Sequence, residues 1–233
     1  MLPVNGIPIL GHMIERLKTC KSVNRIIVAT TTNRIDEEIS SYSKTHNVLV
    51  HRGSEIDVLS RYYDTMVSFK SKIVVRLTSD CPLVDPHIID DMLDEFMKND
   101  YDYMANTCPP PGKFPNGMDV EIFTAKALSK AHREAKMPSE REHVTFYFWK
   151  SGKFKCSRFE KDFDYSQYRI TLDYLADYIL IREIISNFKN ITFSLDDIIM
   201  YLRSNPSLIE YQNSIDQNAG WYDSLIRDRN FLK

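Results

Sequence analysis

The stretch Ile73-Val74-Val75-Arg76-Leu77-Thr78-Ser79-Asp80-Cys81-Pro82-Leu83-Val84-Asp85-Pro86 constrains the chain most. Its short β-branched run predicts a strand buried on both faces, and the polar Thr78-Ser79-Asp80 ends it. Asp80 then stands at the carboxyl end of a strand, the edge where open α/β sheets bind ligands. Pro82 and Pro86 fix their own φ and push Cys81 and Asp85 toward extended conformations, which stiffens the loop. Asp85 reads as a helix N-cap: Pro86 suits the first helical position, and Ile88, Ile89, Met92, Leu93, Phe96 and Met97 follow at helical spacing. Asp80 lies too early to cap that helix. Its position alone leaves two readings open, a solvated loop residue or a metal ligand.

The rest of the chain repeats this alternation of short apolar strands and helices. Strands are expected at 26–29, 48–50, 73–77, 103–105, 120–123 and 168–172. Helices are expected around Ile7 to Leu17, Ile35 to Tyr42, Val58 to Val67 and Ala127 to Ala135. The pattern predicts βαβ units, hence an α/β fold with a mostly parallel sheet and helices on both faces. Asn5-Gly6 is a turn signal, Asn47 a helix terminator, and Ser194 with Asp197 a capping box. The aromatic run Phe146-Tyr147-Phe148-Trp149 suits either core or a subunit interface, so a homodimer is one expectation. The chain opens with a helix where such folds usually open with a strand.

Composition narrows the function classes. A chain of 233 residues buries about 70–75% of its unfolded surface, enough for one substantial domain, and no linker divides it. The expected organisation is a single domain over 1–233, with an α/β core to about 190 and a helical extension over about 191–233. Net charge is −2 with scattered Lys and Arg, which gives no nucleic-acid footprint. The longest apolar runs are four or five residues, and no signal-peptide pattern opens the chain. The expected compartment is the cytoplasm, with no membrane insertion. Cys20, Cys81, Cys108 and Cys156 lack CxxC or His-cluster spacing and read as free thiols.

Several residues could carry chemistry. Asp80 and Asp173 each end an expected strand. On parallel strands both carboxylates would emerge at one edge and could share a Mg²⁺, which commonly takes one or two carboxylates plus substrate phosphates. Asp173 equally suits a cap for the helix after it. Arg52 and Arg61 flank a loop with Gly53 and Ser54, an arrangement for anionic oxygens, though exposed arginines are common. Asp119 and Glu121, two apart on a strand, would share a face and suit sugar hydroxyls or a charged surface. Glu140-Arg141-Glu142-His143 reads first as a salt-bridged loop.

Ordered blocks along nearly the whole chain carry a family resemblance. They are Leu2-Pro3-Val4-Asn5-Gly6-Ile7-Pro8, Val28-Ala29-Thr30-Thr31, Arg52-Gly53-Ser54 with Asp57-Val58-Leu59 and Arg61-Tyr62-Tyr63, and the stretch from Arg76 to Pro86. Phe114-Pro115-Asn116-Gly117-Met118-Asp119-Val120-Glu121, Ser139-Glu140-Arg141-Glu142-His143-Val144-Thr145 and Arg169-Ile170-Thr171-Leu172-Asp173-Tyr174 complete the set. Together they resemble the spore-coat-polysaccharide-biosynthesis branch of the acylneuraminate cytidylyltransferases. The resemblance implies a Rossmann-like nucleotide-diphospho-sugar transferase fold that joins CTP to an acidic sugar or related hydroxyl compound and releases pyrophosphate. It further implies that Asp80 and Asp173 bind Mg²⁺ and that Thr30, Thr31, Arg52, Ser54, Arg61 and Thr78 lie near the nucleotide. Asp119, Glu121, Arg141, Glu142 and His143 would face the acceptor.

Departures bear on competence. Family members open with a strand and a basic loop containing a Pro-Gly-Lys element that grips the triphosphate, and this sequence starts just after it. No glycine-rich loop with a Lys substitutes. A missing first strand would be central in the sheet, so its neighbours should carry unpaired backbone. Leu175-Ala176 and Phe146 depart from the family at positions where it tends to have Pro with an acidic residue, and Pro. Two rival readings follow: a non-catalytic homologue that binds nucleotide or a partner subunit, and an A-type glycosyltransferase. The latter calls for a DxD triplet, which Asp80-Cys81-Pro82 is not.

Overall fold

The computed structural model describes residues 1–214 and 219–231. Two short strands, β1 (Pro3–Val4) and β2 (Ile7–Pro8), form an antiparallel hairpin, so the described chain opens on a hairpin rather than on the helix expected from Ile7. Its turn residues Asn5 and Gly6 have φ of 50° and 78°, the left-handed pair a two-residue hairpin turn demands. Helix α1 (Ile9–Leu17) follows. Strand β3 (Ile27–Thr31) pairs in parallel with β4 (Leu49–Gly53) through α2 (Glu37–Thr45), and Asn47 at φ 58° turns the chain from helix into strand. Then come α3 (Val58–Ser68), β5 (Ile73–Arg76) and α4 (Pro86–Lys98). Asp85 caps α4 as its sequence implies, its Oδ1 accepting from the His87 amide at 2.9 Å.

The second half contains β6 (Tyr103–Ala105), β7 (Glu121–Thr124), α5 (Ala125–Glu134), α6 (Pro138–Glu142), α7 (Phe146–Lys150) and β8 (Cys156–Arg158). Helices α8 (Leu175–Asn187), α9 (Leu195–Ser204) and α10 (Ala219–Phe231) close the described chain. The Ser194–Asp197 capping box forms: Asp197 Oδ2 accepts the Ser194 amide at 2.8 Å, and Ser194 Oγ accepts the Asp197 amide at 3.2 Å.

The larger sheet runs β5-β7-β6-β8, with β7 antiparallel to both neighbours and β6 parallel to β8, so it is mixed rather than the mostly parallel sheet expected, because β7 enters it in the opposite sense. Alternation along these strands divides two cores. Val74, Phe123 and Tyr103 point to the face covered by α3, α5 and α7, where Leu59, Leu128 and Phe148 are buried. Val75, Ile122 and Met104 point to the opposite face, against α1, α4, α8 and α9. The α/β class and its two helical layers follow from that alternation. The aromatic run is core, with Phe146, Tyr147 and Phe148 buried in α7.

Four local expectations are corrected. The segment 168–172 is not a strand: a single bridge joins Asn116 to Arg169, because its other amides bond to loops rather than to a neighbouring ladder. Strand β8 was not expected, since Cys156-Ser157-Arg158 lacks an apolar run. Ile35, Val67 and Met97, taken as inward-facing, are exposed at the ends of their helical patterns. Finally, β5 and the first three residues of β3 are only half-buried, although their composition predicts full burial.

That last difference has a visible cause. Among the described residues no ladder joins β3 to β5, and the β3–β4 pair stands as a separate sheet. A cavity of about 870 Å³ lies between the two strands.

Candidate functional site

The site is built around the end of β5. Arg76 stands opposite Glu121 in the β5–β7 ladder, so beyond the ladder's end the chain brings Thr78, Asp80 and Cys81 to Asp119. Cys81 Sγ lies 3.6 Å from Asp80 Oδ1 and 3.5 Å from Asp119 Oδ2. Asp119 also accepts from Thr107 Oγ1 at 2.6 Å and from the Gly117 amide at 2.9 Å. Burial pushes the Asp119 carboxyl up, and the charge of Asp80 adds to that push against the bonds it accepts.

A third segment closes on the same place. The Asp80 carbonyl accepts the Leu172 amide at 2.8 Å and Thr171 Oγ1 at 3.1 Å, so Asp173 follows directly after the tie to Asp80. Gly117 permits this approach. Its φ is 100°, and a Cβ there would lie 2.4 Å from the Thr171 nitrogen. Asp173 is held from behind: Arg169 donates to Asp173 Oδ2 at 2.5 Å and to Asp177 Oδ2 at 2.9 Å, and Asp177 Oδ2 accepts the Asp173 amide at 2.8 Å. Burial works against the Asp177 charge, but the Arg169 bond and two amides hold its pKa below the usual carboxylate range. The Asp173 side chain remains 46% exposed. Among the described residues no group of three His, Cys, Asp or Glu side chains is arranged to hold a metal.

The residues expected near a nucleotide gather at the carboxyl ends of β3 and β4. Asp36 accepts from Thr31 Oγ1 at 2.5 Å and from Thr30 Oγ1 at 3.2 Å, and the Thr31 hydroxyl above all lowers its pKa. Arg52 donates to the carbonyls of Thr31 and Asn33, both at 2.9 Å, and pairs with Glu37. Ser54 Oγ accepts the Asp57 amide at 3.0 Å, and its carbonyl accepts from Arg61 at 2.6 Å. Arg61 Nε is buried without a hydrogen-bond partner, and Arg61 and Thr78 both line the cavity between β3 and β5. The cavity therefore separates the Thr30–Arg52 group from the Asp80–Asp119 group.

The acceptor candidates are divided between these places. Glu121 is 3% exposed: Oε1 accepts from Tyr103 at 2.6 Å and from Thr145 at 2.5 Å, and Oε2 pairs with Arg76. Arg141 pairs with Asp57 and donates to the His132 carbonyl at 2.8 Å. Glu142 pairs with Arg227 of α10 at 2.7 Å, and His143 Nε2 lies 2.7 Å from Ser224 Oγ of the same helix. Burial lowers the His143 pKa. Arg16, Asp36 and Arg76 were not singled out from sequence, because a single charged residue on a helix or strand carries no spacing signal.

The candidate residues thus lie at the carboxyl edge of an α/β sheet, the edge at which open α/β folds bind ligands. The chain belongs to the cytidylyltransferase family, whose model matches residues 1–213. A solved cytidylyltransferase from Leptospira borgpetersenii superposes with a TM-score of 0.85 at 38% identity, over 90% of this chain and 88% of that one. The spore coat polysaccharide biosynthesis protein SpsF of Bacillus subtilis is 26% identical over 88% of this chain and 87% of its own length. The 8-amino-3,8-dideoxy-manno-octulosonate cytidylyltransferase of Shewanella amazonensis is 24% identical over 96% of this chain and 84% of its own length.

Proposed function

We propose that this chain transfers CMP from CTP to a hydroxyl of an acidic sugar or a related compound, with release of pyrophosphate. The observation that carries the reading is the tie between the Asp80 carbonyl and the 171–172 segment, which brings the backbone preceding Asp173 to the carboxyl end of β5. The names of the relatives support the substrate class, one being a spore coat polysaccharide biosynthesis protein and another an octulosonate cytidylyltransferase.

Mg²⁺ is the ion this reading calls for, since the two carboxylates offer oxygen donors. What supports it is the Asp119 carboxyl, which burial and then the charge of Asp80 beside it push up, a repulsion that a cation would relieve. Asp80 and Asp173 would hold the ion. Bound there, it would neutralise charge at the α-phosphate and acidify the attacking hydroxyl. Thr30, Thr31, Arg52, Ser54, Arg61 and Thr78 would orient the nucleotide, and Asp119, Arg141, Glu142 and His143 the acceptor, while Glu121, buried and bonded at both oxygens, would hold the strand register behind them. In the transfer, the acceptor oxygen forms a bond to the α-phosphorus as the bond to the bridging oxygen of pyrophosphate breaks. The hydroxyl proton passes to solvent. Positioning of the two substrates in line supplies much of the rate, with no covalent intermediate.

The test is pyrophosphate release with CTP, Mg²⁺ and a panel of sugar acids, read alongside thermal shifts with each of the four common nucleoside triphosphates. The reading expects stabilisation selective for CTP and release that requires an acceptor. Equal shifts with all four nucleotides, together with no acceptor-dependent release, would sink it.

A further inference from the structure

The backbone leading to Asp173 is held extended by one residue on each of its edges. Asn116 takes one edge: its amide donates to the Tyr168 carbonyl at 3.2 Å, and its carbonyl accepts the Ile170 amide at 2.7 Å. Gln212 takes the other edge with its side chain. Its Oε1 accepts the Arg169 amide at 3.1 Å, and its Nε2 donates to the Arg169 carbonyl at 2.6 Å. Both residues are buried, and the side-chain amide presents the donor and acceptor that a neighbouring strand would present.

Gln212 belongs to the 3₁₀ segment Pro206–Ser214, and the residue before it reaches the same place by a second route. Tyr211 donates its hydroxyl to Asp177 Oδ1 at 3.1 Å. Asp177 is fully buried, and its Oδ2 accepts the amides of Asp173 at 2.8 Å and Tyr174 at 2.9 Å. Arg169 joins the two routes. It donates to Asp177 Oδ1 through Nε at 3.3 Å and, through Nη2, to Asp177 Oδ2 at 2.9 Å and Asp173 Oδ2 at 2.5 Å. Asp177 alone therefore balances the buried guanidinium. The Asp173 carboxylate, half-exposed, is free to turn from Arg169 to a cation without stranding a buried charge.

We propose that Tyr211 and Gln212 are positioning residues of the candidate site, which set the Asp173 carboxylate for a divalent cation through Asp177 and Arg169. The inference rests on the reading that Asp173 holds the ion. Groups that stand behind a metal ligand fix its orientation, and their loss costs about 10–100-fold in metal affinity or activity. A residue that only stabilises the fold behaves differently: its loss lowers Tm and leaves the affinity of the folded chain unchanged.

The test is Mn²⁺ binding to the full chain, followed by electron paramagnetic resonance well below each Tm. Mn²⁺ is paramagnetic and takes the same oxygen donors as Mg²⁺. Gln212→Leu removes both bonds to the Arg169 backbone, and Tyr211→Phe removes only the hydroxyl on Asp177. Leu128→Ala, in the core on the opposite face of the sheet from Tyr168 and Ile170, supplies a destabilised chain with the 168–173 segment untouched. The expected result is Mn²⁺ affinity weakened about tenfold or more in Gln212→Leu. Tyr211→Phe should weaken it about threefold, the scale of one hydrogen bond, and decides the question should Gln212→Leu not fold. Leu128→Ala should lower Tm and keep the wild-type affinity. Wild-type affinity in the folded Gln212 and Tyr211 variants would overturn the proposal and leave the ion itself in place. Equal weakening in Leu128→Ala would overturn it too, by assigning the effect to general loosening. A wild-type chain with no Mn²⁺ site that Asp173→Asn weakens would overturn the reading of Asp173 as an ion ligand, and this proposal with it.

Discussion

Arg76 and Glu121 face each other across the β5–β7 ladder and form an ion pair whose side chains are 16% and 4% exposed. Burial works against the Arg76 charge, but Glu121 more than offsets this and raises its pKa. Tyr103 and Thr145 satisfy the other carboxylate oxygen, so the pair fixes the register that brings Asp119 to Asp80. Removing one member of a buried pair leaves the other uncompensated, at a cost of roughly 3–5 kcal/mol. Glu121→Ala is therefore expected to lower Tm by roughly 6–20 °C at ~2–4 °C per kcal/mol for a chain of this size, as calorimetry would show. A loss below about 1 kcal/mol would mean the pair is not buried in solution.

Gly117 is the second point of closure. Gly117→Ala adds a Cβ 2.4 Å from the Thr171 nitrogen at a φ of 100°, where side chains are strained in any case. The expected cost is about 1–3 kcal/mol or more, with the 170–173 segment displaced from Asp80. Faster exchange at the Leu172 amide in the variant would register that displacement.

Arg16 is 1% exposed and, among the described residues, pairs with no carboxylate. Its guanidinium donates to the carbonyls of Leu83 and Val84 at 3.2 Å, Ile191 at 2.5 Å and Phe193 at 3.0 Å, and lies 3.9 Å over the Phe193 ring. Burial lowers its pKa to about 10, with Asp85 acting in the other direction. It clamps the loop after Asp80 to the start of α9. Arg16→Met is expected to lower the urea midpoint by the equivalent of about 1–3 kcal/mol for each acceptor left unsatisfied, with Arg16→Lys intermediate.

The pH dependence of stability has a sign set by His143. Its folded pKa is lowered by burial, so between that value and the unfolded value of about 6.5 the unfolded chain binds the proton and the folded one does not. Stability contributed by the neutral ring is thus present above about 6.5 and is lost as pH falls through this window. His132, also lowered chiefly by burial, acts in the same direction. His143→Gln should flatten the decline in Tm between pH 7 and 5; an unchanged slope would assign the effect elsewhere.

Much of this was legible in the sequence because local signals and tertiary demands agree. Pro86 after Asp85 gave the start of α4, Ser194 with Asp197 gave the start of α9, and Asn5-Gly6 gave a turn, though not the two-residue strands on either side of it, which are too short to carry a pattern. The segment 168–172 failed the same reading, since an apolar extended run has the composition of a strand whether or not a neighbour offers it a ladder. The direction of β7 was illegible for a similar reason: composition does not record strand sense. The engagement of Glu121 by Arg76, Tyr103 and Thr145 depends on three distant segments meeting, and no spacing announces it.

The most direct test of the central claim is acceptor-dependent pyrophosphate release from CTP and Mg²⁺, comparing the wild-type chain with Asp80→Asn. The account expects release that is selective for CTP, and a drop of about 10²-fold or more in Asp80→Asn with CTP binding retained, on the scale of losing one main electrostatic contact to the reacting group. Asp80→Asn turning over as fast as the parent, or no release from the wild-type chain with any sugar acid, would contradict it.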